Sequence, residues 1–193
     1  MDKENILGFD VCNTNYDKIT DDIINDFNNN VTNFIVNVNP EIIIKNYKNN
    51  ELKEKFNSQK YQIADGIGII YASKIQKGNI KQRITGIDLM QKICEKSVGK
   101  DIKIFLYGSN IGVADKAKEE LEKKYNFIKI VGTCDGYVDK EVAINRIKMS
   151  NANVLFVGLG SPKQENFIIE NMEKLENIKI FMPVRWKFWC DKQ

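Results

Sequence analysis

The chain's 193 residues include no histidine, so the groups that could do chemistry are few. Histidine triads, histidine metal sites and imidazole pH switching are excluded, and a general base must be a carboxylate, lysine, tyrosine or cysteine. Asp65 is the foremost carboxylate. It follows the apolar pair Ile63-Ala64 and precedes Gly66 at the start of a helical pattern, where it could cap that helix or act as a base. Arg83 stands just before Thr85-Gly86 and a second helical pattern. Its planar guanidinium could be a solvated charge or a two-pronged grip on phosphate. Asn37 and Asn39 end another apolar stretch, and Asn39-Pro40 reads as an N-cap followed by a first helical residue.

Two glycine turns add backbone donors. Val154 to Val157 is a short apolar run closed by Gly158, Gly160 and Pro162; it reads as a buried parallel strand, with Ser161 capping a helix that begins at Pro162. Lys163, Gln164 and Glu165 fall in that helix's first turn, and Ile168, Met172 and Leu175 share its apolar face. Gly108 to Gly112 repeats the theme after Ile102 to Tyr107. A strand, a glycine turn and a helix N-terminus together favour an anion, because free N–H groups and the helix dipole point at the turn. Gly158-Leu159-Gly160 is not a dinucleotide fingerprint, since the third glycine position is Lys163. A nicotinamide oxidoreductase is therefore the weaker reading, and no P-loop pattern occurs.

The elements that must hold these residues alternate between strand and helix. An edge strand is predicted over Ile6 to Cys12, then a helix carrying Ile19, Ile23 and Phe27 and ended by Asn28 to Asn30. Strands follow at Phe34 to Val38, Ile102 to Tyr107, Phe127 to Val131, Val154 to Val157 and Ile178 to Met182. Between them run helices at Ile67 to Gln76, from Ile87 through Ser97, from Val113 to Tyr125 and at Lys140 to Met149. This alternation predicts an α/β fold, a mostly parallel sheet with helices on both faces and Rossmann-like elements. Ligands in such sheets bind beyond the carboxyl ends of the strands, where Asn39, Asp65, Arg83 and the glycine turns all fall.

Composition is that of an ordinary globule, with 42% hydrophobic and 28% charged residues and a net charge of +3. That charge is too small to argue for nucleic acid. Cys12, Cys94, Cys134 and Cys190 are far apart with no C-x-x-C, which fits reduced thiols. No apolar run approaches the ~20 residues of a membrane span and M-D-K-E-N is no signal peptide, so a soluble, intracellular protein is expected.

The motifs A-D-G-I-G-I-I (64–70), R-I-T-G-I-D-L (83–89), F-L-Y-G-S (105–109), V-G-T-C-D-G-Y (131–137) and V-G-L-G-S-P-K-Q-E (157–165) resemble, in order, those of the WecG/TagA/CpsF family of bacterial glycosyltransferases, and most nearly its TagA type. The resemblance covers most of the chain. It implies transfer of N-acetylmannosamine from UDP-N-acetylmannosamine to undecaprenyl-diphosphate-linked N-acetylglucosamine, with inversion, in teichoic acid synthesis. It also implies a fold unlike the common glycosyltransferase folds, no cofactor and no metal, since no D-x-D is present. Carried over by position, Asp65 matches the proposed base, Arg83 and Gln164 match donor-pocket residues, and Asn39 matches the asparagine of the family's T-x-N, with Asn37 where that pattern has threonine. Thr85, Gly108, Gly160 and Glu165 complete the substrate-binding set expected here. A non-catalytic UDP-sugar-binding module is the alternative.

Residues 1–184 are read as a single glycosyltransferase domain and 185–193 as an atypical tail. After Met182-Pro183-Val184 the resemblance implies a continuation like Gly-Gly-Ser-Phe-Asp-Val-Ile-Ser and an arginine-rich appendage. Arg185-Trp186-Lys187-Phe188-Trp189-Cys190-Asp191-Lys192 stands there instead. A coding run for the expected peptide, read out of frame with TGA as tryptophan, gives this tail, so a frame change at Val184 is expected. A natural tail whose Trp186, Phe188 and Trp189 touch a membrane interface is the weaker reading. The missing appendage would dock the family's enzymes on the inner face of the cell membrane as peripheral proteins. Without it the chain is expected to be nearly inactive and, with apolar surface uncovered, a possible homo-oligomer.

Overall fold

The computed structural model describes residues 1–186. An N-terminal hairpin, β1 (Lys3–Ile6) and β2 (Phe9–Cys12), is followed by α1 (Tyr16–Asn28) and β3 (Asn33–Val38). Next come α2 (Pro40–Asn46), α3 (Asn50–Asn57), β4 (Tyr61–Ala64), α4 (Ile67–Ile75) and α5 (Gly86–Ser97). The second half is strictly alternating: β5 (Lys103–Gly108), α6 (Val113–Lys124), β6 (Lys129–Cys134), α7 (Lys140–Met149), β7 (Val154–Gly158), α8 (Lys163–Asn171), a 3-10 turn (Met172–Lys174) and β8 (Ile180–Pro183). Six strands form one sheet in the order β4-β3-β8-β7-β5-β6, and every pairing is parallel. The expected α/β class with helices on both faces is what the chain adopts.

The sequence dictates this layering through strands that are apolar on both sides. Every residue of β3, β4, β7 and β8 is buried, as a parallel sheet covered by helices requires. Successive side chains feed opposite cores: Phe105 and Tyr107 join one, Ile104 and Leu106 the other. The first core is closed by Ile42 of α2, Phe56 of α3, Ile69 of α4, Ile144 of α7 and Ile168 of α8. The second is closed by Ile23 of α1, Leu89 and Ile93 of α5, and Leu121 of α6.

Several expected boundaries move. The single edge strand over Ile6 to Cys12 is instead a hairpin outside the main sheet, turning at Leu7 and Gly8 with φ of 51° and 91°. An apolar Leu7 at the tip hid the turn, and Asn5 Oδ1 accepts the Gly8 N–H at 3.0 Å to close it. The strand predicted over Phe127 to Val131 starts at Lys129 and runs on to Cys134, because Phe127 is an exposed turn residue with φ of 66°. The last strand begins at Ile180, not Ile178, whose buried side chain lies in the turn before it. Helix α3 has no counterpart in the sequence reading; it holds only two apolar residues, Leu52 and Phe56, one turn apart. Among the described residues no helix is long and apolar enough to cross a membrane.

Of the atypical tail, residues 187–193 lie outside the described residues. Trp186 does not point outward as a membrane anchor would. It is 2% exposed and completes the second core, beside the position a side chain at Gly158 would occupy.

Candidate active site at the carboxyl ends of the strands

A cleft of about 1410 Å³ opens where β3, β4, β5, β7 and β8 end. It gathers Asn37, Asn39, Asp65, Arg83, Thr85, Gln164 and Glu165, which are separated in sequence by up to 128 positions. Gly108 and Gly160 are not on its wall. Gly108 has φ of 118°, and a Cβ there would stand 2.5 Å from the backbone of Gly158, so it serves the close approach of β5 and β7. The turn after β5 does reach the cleft, through Ile111, Gly112 and Val113 at the start of α6 and then Lys116.

Asp65 follows β4, its N–H bonded to Val38 O at 2.8 Å. It does not cap its own helix, whose N-cap is Gly66 with no side-chain bond. Its carboxylate instead lies within the influence of the backbone N–H of Gly86, the first residue of α5. Burial pushes this carboxyl above the ordinary 3.8, while the Gly86 N–H, Arg83 and Arg185 pull the other way. The result is a carboxylate whose raised proton affinity is tempered by the field of two cations.

The α5 N-terminus is built to hold that place. Thr85 caps it by accepting the Asp88 N–H at 3.2 Å and donates its hydroxyl to Asp88 Oδ2 at 2.6 Å. The Thr85 N–H donates to Tyr16 Oη at 2.8 Å, tying α1 to the same corner. A Cβ on Gly86 would stand 2.5 Å from Asn37 Nδ2. Asn37 is itself buried, donates to Pro183 O at 2.9 Å, and keeps an Oδ1 that has no partner among the described residues. Asn39 is the N-cap of α2, accepting the Ile42 N–H at 2.9 Å as the sequence suggested.

The turn after β7 is organised by side chains and not by the expected Ser161 cap. Pro162 occupies the N-cap position of α8, one residue later than predicted, and no cap bond is made there. Gly160 N–H donates to Gln164 Oε1 at 3.0 Å, and Gln164 Nε2 donates to Glu165 Oε1 at 3.0 Å. This chain fixes which way the Gln164 amide faces. Glu165 is 2% exposed, its Oε2 has no partner among the described residues, and its burial pushes the carboxyl up.

Sequence reasoning missed Arg185 and Lys116 and left Asn37 without a role. Arg185 lines the cleft and pairs with Glu41 at 3.0 Å, although it falls in the segment read as a foreign tail. Its position directly beyond the carboxyl end of a central strand was the available signal.

The sequence model of the glycosyltransferase WecG/TagA/CpsF family matches residues 4–188. The chain belongs to this family. Two Staphylococcus aureus proteins, from strains COL and MRSA252, are each 34% identical to it, over 91% and 94% of this chain and 70% and 72% of theirs. Both bear the name N-acetylglucosaminyldiphosphoundecaprenol N-acetyl-beta-D-mannosaminyltransferase. The match spans all six strands of the sheet and the whole cleft. Glycosyl transfer is thus this chain's chemistry, and the cleft is lined by residues of three of the five motifs read from the sequence, those at 64–70, 83–89 and 157–165.

Proposed function

We propose that the chain transfers N-acetylmannosamine from UDP-N-acetylmannosamine to undecaprenyl-diphosphate-linked N-acetylglucosamine, with inversion at the anomeric carbon. The observation that carries this reading is the convergence of Asp65, Arg83 and Gln164, from three separate family motifs, on one cleft. Asp65 takes the proton of the acceptor hydroxyl as that oxygen forms its bond to the anomeric carbon. The bond from that carbon to the β-phosphate oxygen breaks at the same time, and UDP leaves carrying the electron pair. Arg83, Arg185 and the N–H groups at the start of α6 are the groups that would meet the diphosphate charge. Gln164 and Glu165 line the same cleft and offer polar atoms to a sugar ring.

The test is release of UDP from UDP-N-acetylmannosamine in the presence of a soluble diphosphate-lipid analogue, with and without EDTA. Acceptor-dependent release that survives the chelator is expected, as the sequence offers neither histidine nor D-x-D. UDP binding without any acceptor-dependent release would instead support a nucleotide-sugar-binding module.

A further inference from the structure

Helices α2 and α4 are apolar on two sides. Their inner residues Ile42, Ile43, Ile69 and Ile70 are buried in the first core. On the outer side of α4, Ile67, Tyr71 and Ile75 recur at every fourth position and are 53%, 57% and 83% exposed. The outer side of α2 adds Ile44 and Tyr47, 69% and 53% exposed. The two helices meet at their first turns, where a Cβ on Gly68 would stand 2.6 Å from Pro40 Cγ. Pro40 and Gly66 both line the cleft, so these outer faces begin at its mouth.

Charge is concentrated on the same two segments. Residues 40–48 and 66–81 contain Lys45, Lys48, Lys74, Lys77 and Lys81 against Glu41 alone, a net +4 in a chain whose total is +3. Glu41 is already engaged by Lys45 and Arg185. Every other part of the chain, taken together, is therefore slightly acidic. From the isoleucines and tyrosines exposed along α2 and α4, the lysines of the same two segments and the start of both helices at the cleft, we infer that the outer faces of α2 and α4 dock on an anionic lipid bilayer. Apolar side chains and tyrosine rings enter the interface while lysine stems lie along it with their ammonium groups at the lipid phosphates. A second copy is the poorer occupant, because a two-fold contact would set lysine clusters against each other. The inference rests on the lipid-linked acceptor proposed above: a cleft that must reach a lipid head group is brought to it by a surface at its own rim.

The experiment is flotation of the protein with phosphatidylcholine vesicles, with and without phosphatidylglycerol and without donor or acceptor. Binding that needs the anionic lipid and weakens with salt is expected, and the double variant Tyr71→Glu, Ile75→Glu should lower it by roughly 10-fold or more. Met149→Glu, on an exposed apolar residue of α7, should leave it unchanged. Circular dichroism would show both variants folded, since all three side chains point to solvent. Turnover of the soluble acceptor reads the function itself and should be equal in parent and double variant. Absent vesicle binding by the parent, equal binding by the double variant, or a dimer in sedimentation that the double variant dissociates would overturn the docking surface.

Discussion

Asp65 and Glu165 share a cleft but not a task. The Gly86 N–H, Arg83 and Arg185 all favour the ionised form of Asp65, the form in which a carboxylate accepts a proton. Asp65→Asn should keep UDP binding and lower turnover by roughly 100-fold or more, measured at saturating donor. Because burial raises this carboxyl, the acid limb of kcat/KM should lie above the ordinary 3.8 and should vanish in the variant. A limb unmoved by Asp65→Asn would assign the base elsewhere. Glu165 acts through its neighbour: its Oε1 holds the Gln164 amide that Gly160 holds from the other end. Glu165→Ala should weaken donor binding by about as much as Gln164→Ala, and by little more in the combined variant, since groups acting as a unit are not additive. Losses that simply add would show that Glu165 contacts the donor on its own account.

At the scale of elements, the site depends on how closely α5 meets β3 and β4. Gly86 leaves no room for a methyl group against Asn37, whose amide is held to β8. Gly86→Ala should cost about 1–3 kcal/mol of stability, as overpacking does, and should lower turnover because it shifts the α5 N-terminus that lines the cleft with Asp65. Full activity with unchanged unfolding would mean that the loop simply yields. At the opposite end of the same strands, Asp26 at the end of α1 accepts from Lys60 at 2.6 Å, Tyr61 at 2.8 Å and Asn33 at 3.1 Å. Burial alone would raise this carboxyl, but these three donors outweigh it and hold it below 3.8. Its stabilisation is thus present above the unfolded pKa and is lost as pH falls through the folded one. Asp26→Asn should cost about 1–3 kcal/mol in denaturant unfolding at neutral pH, and less in acid, while leaving UDP binding intact.

For the whole molecule, the cleft is held against the preference of its own carboxyls. Both Asp65 and Glu165 have raised proton affinities, so folding binds their protons more tightly than the unfolded chain does. That contribution is full below the unfolded pKa and disappears as pH rises through the folded pKa. At neutral pH the double variant Asp65→Asn, Glu165→Gln should therefore melt at a higher temperature than the parent, with the gap closing as pH falls toward the ordinary carboxylate range. A melting temperature equal to or below the parent's at neutral pH would show that the carboxylates stabilise the fold.

The sequence by itself determined the sheet, because strands apolar on both sides can only lie between two layers of helices, and the spacing of Ile19 and Ile23 in α1 and the place of Ile168 in α8 named helix faces that cover its two sides. It also determined the chemistry available: with no histidine, Asp65 stood out before any contact was known, and five motifs in order marked the family. Tertiary structure alone decided which N–H meets Asp65. The cap that local pattern suggested was its own helix, whereas the N–H that acts on it is that of Gly86, 21 positions away, brought there by the neighbouring α5. The same holds for Leu7 and Phe127, apolar residues that read as strand but sit at turns because φ near +50° to +70° is set by the chain's need to reverse. Arg185 reached the cleft, and Trp186 the core, because β8 lies in mid-sheet between β3 and β7. Local pattern reports what each segment can bury, but strand order decides which segments end at the same place.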